Sequence, residues 1–399
     1  MTRAAAAVRR TGAAGRNAWR FPLLLAAALA VSMAYGVTLP LLPALLGIIP
    51  GLGVDDVARH TGWLTATYTV GLFLFSPVWG ALADRVDRRG IIAFGLAGSG
   101  LALWVVDLSR DVVSLYVARG AAGVLAAAVL PAVFACLVDD TAPQQRQRRF
   151  AWVATATSVG FLLGPVIGSA LRGMAMGLGA TRPMADSPFA AVALLSMAAA
   201  ACMYIVPACR GKRAADGDGR ADEPSVRVAL LHTGVVVLAI TVAEVGLTLV
   251  SRDSPVIAPS AMAGYFALCS VTMVVVQLWL YPVLERGMGE PRLVRVAFGA
   301  MALGVGLLAW PQKRWVPVAV FLLAGAAVGV LIPALAARVS LAAGARQGWA
   351  LGRQAAAANL GQAVGAAATG VLYATAAPVP FVLAAALVAL LLFRRGSGR

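Results

Sequence analysis

The sequence predicts an all-α integral membrane protein whose twelve transmembrane helices form two six-helix bundles related by internal pseudo-symmetry. Three observations predict it. Hydrophobic residues make up 60% of the 399 and charged residues only 13%, whereas a soluble domain needs a charged shell of roughly a quarter of its residues. Apolar stretches of helical length, able to cross a hydrocarbon core of ~30 Å, recur along the whole chain. Arginine clusters punctuate these stretches as cytoplasmic ends do. The formal charge of +16, from 33 basic and 17 acidic residues, therefore reports topology. It does not call for a nucleic-acid partner.

The elements follow in order. The basic segment Met1–Arg20 resembles the start of a signal peptide, but the apolar run 21–49 is too long for its core and no convincing cleavage site follows. It is read as an uncleaved first span. Further spans are expected near 62–83, 91–109, 112–138, 150–171, 189–208, 228–250, 262–284, 294–310, 315–337, 350–374 and 379–393. Twelve spans put both termini on one side. The basic clusters Arg3 to Arg20, Arg85/Arg88/Arg89, Arg146/Arg148/Arg149, Arg210 to Arg227, Arg286/Arg292/Arg295, Arg338/Arg346 and Arg394/Arg395/Arg399 make that side the cytoplasm. The long hydrophilic segment Cys209–Arg227 falls near the midpoint. It reads as a linker (209–227) between an N-terminal bundle (1–208) and a C-terminal bundle (228–399).

Internal echoes support two related halves. Leu82-Ala-Asp84-Arg85 after span 2 is matched by Leu284-Glu285-Arg286 after span 8. The segment from Arg146 to Trp152 before span 5 is matched by that from Arg346 to Gly352 before span 11, and Gly160 and Gly164 by Gly361 and Gly365. Parallel repeats of this kind let two bundles rock around a central site.

The most informative segment is Gly80-Ala-Leu-Ala-Asp84-Arg85-Val-Asp-Arg88-Arg89, followed by Gly90. It joins two apolar stretches by a turn too short to hide its charges, so it lies in water at a membrane face. It closely resembles the G-x-L-x-D-R-x-G-R-R loop between helices 2 and 3 of the major facilitator superfamily. The resemblance implies membrane transport by alternating access, with no enzymatic activity and no cofactor. It also implies that Asp84 lies at the N-terminal end of helix 11, where a carboxylate gains from the helix dipole and free N–H groups. Arg88 would reach an acid at the end of helix 4, latching the cytoplasmic side together with Gly80, Arg85 and Arg89. Asp87 stands where the family has glycine, so a differently shaped turn is expected. The alternative is an ordinary solvated turn.

Arg119, Gly123, Pro131 and Asp139 in span 4, then Arg146 and Arg148, resemble the family's R-x-x-x-G … P … D … R-x-R arrangement. Twenty residues of helix rise roughly 30 Å, which places Arg119 near the outer end of the span and Asp139, the expected partner of Arg88, at the inner end. The resemblance implicates Arg119 in proton coupling. The alternative is an arginine snorkelling to the interface. Gly160, Gly164, Pro165 and Gly168 in span 5 form a smooth ridge resembling the antiporter signature of drug-exporting members, with plain helix packing as the alternative. Glu244 stands well inside span 7, where a carboxylate facing a cavity suits reversible protonation; a structural carboxyl is the competing reading.

Tyr35, Tyr68, Phe161, Gln277, Gln354, Asn359 and Gln362 are candidates for lining an apolar cavity with a few polar groups. The four cysteines show no paired spacing and read as small buried residues, with neither disulfide nor metal expected. His60 and His232 have no ligand partners at suitable spacing, and no phosphate loop, nucleophile elbow or H-E-x-x-H occurs. The expected protein is a monomeric transporter of a bacterial inner membrane, where lipid surrounds it. It exports a small lipophilic compound in exchange for protons. The competing expectations are a facilitator dedicated to one metabolite, such as a sugar or an organic acid, and a non-transporting sensor. The short tail after Phe393 argues against the sensor.

Overall fold

The computed structural model describes residues 19–47, 49–139, 141–142, 145–177, 188–205, 208–209, 222–253, 262–310, 313, 315–344 and 346–393. Their regular structure is helical: α1 (Arg20–Gly47), α2 (Val54–Ala83), α3 (Arg88–Leu108), α4 (Val112–Ala126), α5 (Val129–Asp139), α6 (Arg146–Gly177), α7 (Pro188–Cys202), α8 (Glu223–Asp253), α9 (Met262–Val275), a π-helical turn (Val276–Leu280), α10 (Tyr281–Met288), α11 (Glu290–Leu307), α12 (Trp315–Ala342), α13 (Gln347–Thr375) and α14 (Val379–Phe393). Most of the expected linker, 210–221, lies outside the described residues. The helix after it starts earlier than expected, at Glu223, with Glu223 and Arg227 paired one turn apart at 3.3 Å.

Two expected spans are each built from more than one helix, and proline explains both. Span 4 breaks between α4 and α5 at Ala127–Ala128. Pro131 offers no N–H to Ala127, and its ring crowds that carbonyl. Span 8 widens into the π-helical turn just before Pro282, the second residue of α10. Gly289 turns the corner from α10 to α11 with φ +75°, a conformation that L side chains rarely adopt.

Seven helical stretches among the described residues are long and apolar enough to cross a bilayer unaided; Phe189–Cys202 and Val379–Leu392 are shorter apolar helices. Along α2 the residues Val70, Leu74, Val78 and Leu82, spaced by four, are 51%, 53%, 57% and 38% exposed. An outward stripe of this kind is costly in water and neutral against lipid. Trp63 and Trp315, at ends of such stretches, are exposed, as aromatic belts require.

The chain forms two compact units: Met1–Pro143 with Ala156–Arg220 and Gly344–Gly352, and Gln144–Thr155 with Ala221–Ala343 and Arg353–Arg399. The first has a core that includes Met33, Val37, Leu64, Leu103, Val106 and Leu115. The second has one built on Val236, Leu247, Met301, Phe321 and Phe381.

Each unit contains a seam where helix backbones touch. In the first, a Cβ on Gly160 would overlap the Leu29 carbonyl, and one on Gly164 would lie 2.7 Å from the Met33 carbonyl, so α6 lies directly on α1. In the second, a Cβ on Gly361 would overlap the Gly234 carbonyl, and one on Gly365 would lie 2.8 Å from the Leu238 carbonyl, so α13 lies directly on α8. The glycine echo read in the sequence is thus a repeated packing device.

Candidate functional site

The 80–90 turn is organised around two carboxylates and one buried guanidinium. Asp84 follows α2 and accepts hydrogen bonds from the backbone N–H groups of Gly348 (2.7 Å) and Trp349 (2.8 Å) at the start of α13. These are among the N–H groups that a helix leaves without intrahelical partners, and the positive end of the helix dipole favours an anion there. The approach depends on glycine. A Cβ on Gly80 would overlap the Gly348 carbonyl, and one on Gly352 would overlap the Ser76 carbonyl.

Arg88 is 1% exposed and fully engaged. Its Nε donates to the Ala83 carbonyl (3.0 Å), Nη1 to the Ala135 carbonyl (2.7 Å) and Nη2 to Asp84 Oδ1 (3.4 Å). It therefore fixes the turn to α5 and braces Asp84. Asp139, its expected partner, lies on α5 with its side chain outside the described residues; the surroundings of Pro165 and Gly168 on α6 are outside them too. Arg85 is exposed, and Arg89 pairs with Asp87 at 2.7 Å.

Asp87 is the informative departure. Its backbone is extended at φ −66°, so the turn here needs no glycine. The carboxylate caps α3 by accepting from Arg89 N (3.2 Å), and it also accepts from Cys209 N (3.0 Å), while Cys209 O accepts from Arg88 N (3.1 Å). The start of the linker is thus docked on the turn. Cys209 is also disulfide-bonded to Cys136 of α5, with Arg20 Nη2 donating to its sulfur at 2.9 Å. This corrects the expectation that the cysteines form no disulfide. A separation of 73 residues carries no pairing signal; the docking of Cys209 on Asp87 and Arg88 brings it to Cys136. Cys202 and Cys269 are free thiols.

A second cluster lies within the first unit, and close helix contacts build it. A Cβ on Gly123 would overlap the Tyr68 carbonyl, so α4 lies on α2 and Arg119, one turn earlier, comes over the Tyr68 ring with Cζ 4.5 Å from its centroid. A Cβ on Gly36 would overlap the Phe161 carbonyl, and this approach of α1 to α6 sets Tyr35 5.8 Å from Phe161 between ring centroids. Tyr35 also stacks on Tyr68, at 5.0 Å and 16°. Arg119 is 1% exposed, which rules out snorkelling, and its Nε and Nη2 are buried with no hydrogen-bond partner. Four of the expected residues are thus brought together.

The remaining candidates lie in the second unit. Glu244 is half-buried on α8. Gln277, in the π-helical turn, is buried and accepts from Thr155 Oγ1 at 2.9 Å. Gln354 is buried and donates to Thr233 Oγ1 at 3.3 Å; Asn359 and Gln362 are half-buried. Sequence reasoning missed Thr155 and Thr233, whose role depends on neighbours from distant helices. It also missed the tie of Glu290, at the start of α11, to Arg338 Nε (2.9 Å) and Nη2 (2.8 Å).

The sequence profile described as Major Facilitator Superfamily matches residues 24–264. The chain is 26% identical to multidrug resistance protein 2 of Bacillus subtilis (strain 168), over 91% of each chain. It is 27% identical to the class C tetracycline resistance protein of Escherichia coli, over 76% of this chain and 77% of that one. In fold it is similar to the human organic anion transporter MFSD10, with a TM-score of 0.75, 20% identity and coverage of 94% of this chain and 98% of the other. It is likewise similar to the Escherichia coli fucose:proton symporter, with a TM-score of 0.73, 16% identity and coverage of 93% and 96%.

Proposed function

The chain belongs to the Major Facilitator Superfamily, and on that premise we propose that it is a secondary active transporter exporting a small lipophilic compound in exchange for protons. The observation that carries the transport reading is the Asp84 carboxylate seated on the N–H groups of Gly348 and Trp349. It ties the start of α13 by a few hydrogen bonds that one conformational step can release and remake. Gly80, Asp84, Arg85, Arg88, Arg89 and Asp139 form the gating set in this reading. Export of drug-like compounds rests on the similarity to the multidrug and tetracycline resistance proteins along most of the chain. The glycine ridge of α6, with Gly160, Gly164, Pro165 and Gly168, agrees with it.

Proton coupling is assigned to Glu244, an acid placed inside the apolar helix α8, with Arg119 as the fixed positive charge of the first unit. An acid there can take a proton from one side and yield it to the other when the cavity changes access. The protein is read as a monomer in a bacterial inner membrane with both termini cytoplasmic. Its two halves, 1–208 and 228–399, would rock about the linker 209–227.

Everted vesicles test this. A proton gradient is read by a quenched dye, a panel of lipophilic compounds is added, and wild type is compared with Glu244→Gln. Collapse of the gradient on adding a compound, absent in Glu244→Gln, is the expected result. Collapse in both keeps antiport but returns Glu244 to a structural role. No collapse with any compound overturns proton-coupled export and favours a dedicated metabolite facilitator.

A further inference from the structure

Within the efflux reading above, we propose that Arg119, Tyr68, Tyr35 and Phe161 form a substrate subsite for a planar aromatic compound bearing a carboxylate. The argument starts from which nitrogens are orphaned. Nε and Nη2 are buried without a hydrogen-bond partner. These two lie along one edge of the guanidinium and point their N–H bonds in parallel, the geometry that grips the two oxygens of a carboxylate. The same edge is used elsewhere in this protein, where Arg338 Nε and Nη2 reach Glu290 Oε1 at 2.9 and 2.8 Å.

Among the described residues Arg119 has no such acid. Its flat face is occupied by the Tyr68 ring at 4.5 Å, which holds the guanidinium in place by cation–π attraction and leaves the buried edge without an acceptor. The neighbouring surface is aromatic. Tyr35 stacks on Tyr68, Phe161 stands beside Tyr35, and Phe161 is 40% exposed. Flat rings and one forked cation suit a ligand with the complementary pair of features, a flat ring and a forked anion. A cationic ligand meets the wrong charge here, and an aliphatic one leaves the rings unused.

The test uses purified full-length protein and three probes of one shape: 1-naphthoate, its neutral methyl ester and 1-naphthylmethylammonium. Binding is followed by tryptophan fluorescence. Wild type is expected to bind naphthoate about tenfold more tightly than the ester, and the ammonium most weakly. Arg119→Gln should reduce naphthoate to the ester's affinity, and Tyr68→Leu should weaken both. Equal affinity of wild type for naphthoate and ester overturns the subsite whatever the variants do. So does an Arg119→Gln protein that keeps the preference, its fold being checked by thermal melting. Should that variant fail to fold, the wild-type preference and Arg119→Lys decide, since a point charge without the fork must lose most of the discrimination. The efflux reading fails separately. Preferential naphthoate binding with no compound collapsing the gradient in wild-type vesicles sinks export and keeps the subsite, whereas gradient collapse with equal binding of naphthoate and ester does the reverse.

Discussion

Arg88 and Arg119 are both 1% exposed and both belong to the first unit, yet their surroundings are opposite. Each of the three guanidinium nitrogens of Arg88 has an acceptor, two of them carbonyls and one the Asp84 carboxylate. Arg119 has an aromatic ring beneath it and two nitrogens without acceptors. A buried charge that is satisfied organises the fold around it. One that is not costs the fold several kcal/mol. The comparison sets an arginine whose bonds are all made against one that, in the subsite proposed above, keeps two N–H groups for a ligand.

The largest expected effect breaks this comparison directly. Arg88→Leu strands the Ala83 and Ala135 carbonyls and takes the countercharge from Asp84, and about 3 kcal/mol of stability should be lost. Arg119→Gln should change the melting temperature of the purified protein little or raise it. Equal losses in the two would erase the distinction. Next comes Asp84→Asn, which keeps one acceptor but removes the charge facing the α13 terminus. Transport per folded molecule should fall about tenfold or more while the melt stays close to wild type. Wild-type rates would dispose of the gating role. Asp87→Gly, the family's own residue, removes the α3 cap and the tie to Cys209 N. A loss of about 1 kcal/mol is expected in thermal melts, with transport retained.

The smallest effect concerns Asp111, the N-cap of α4. The Ser114 backbone N–H, and then its hydroxyl, hold this carboxyl below the usual carboxylate range. A lowered folded pKa stabilises above the unfolded pKa and loses that contribution as pH falls through the folded one. Asp111→Asn should therefore melt slightly lower than wild type at neutral pH and coincide with it in acid below the carboxylate range. A difference that persists in acid would assign the effect to packing.

Much of this was legible in the chain. The spans follow from apolar length. The turn at 80–90 declared itself as five charges between two apolar stretches, although Arg88 is buried against protein acceptors where water was expected. Arg119 declared itself because an arginine inside an apolar span demands a reason. What stayed hidden depends on the rotation of one helix against another. Whether Arg119 snorkels or stacks is decided by Gly123 lying on the Tyr68 carbonyl, a contact between helices that no spacing encodes. The Thr155–Gln277 pair is hidden for the same reason, and the Cys136–Cys209 bond because it depends on where the linker docks. Asp87 was legible as a departure, but its positive role in docking the linker was not.

The glycine seams have a mechanical consequence. Where α6 meets α1, and again where α13 meets α8, backbone rests on backbone with no side chain between to act as a bearing. A side chain can change rotamer and let two helices slip; a carbonyl lodged against a glycine Cα cannot. Each pair is therefore a single stiff beam, thicker than one helix and resistant to shear along its length. In the rocking motion proposed above, such a beam would turn as a whole.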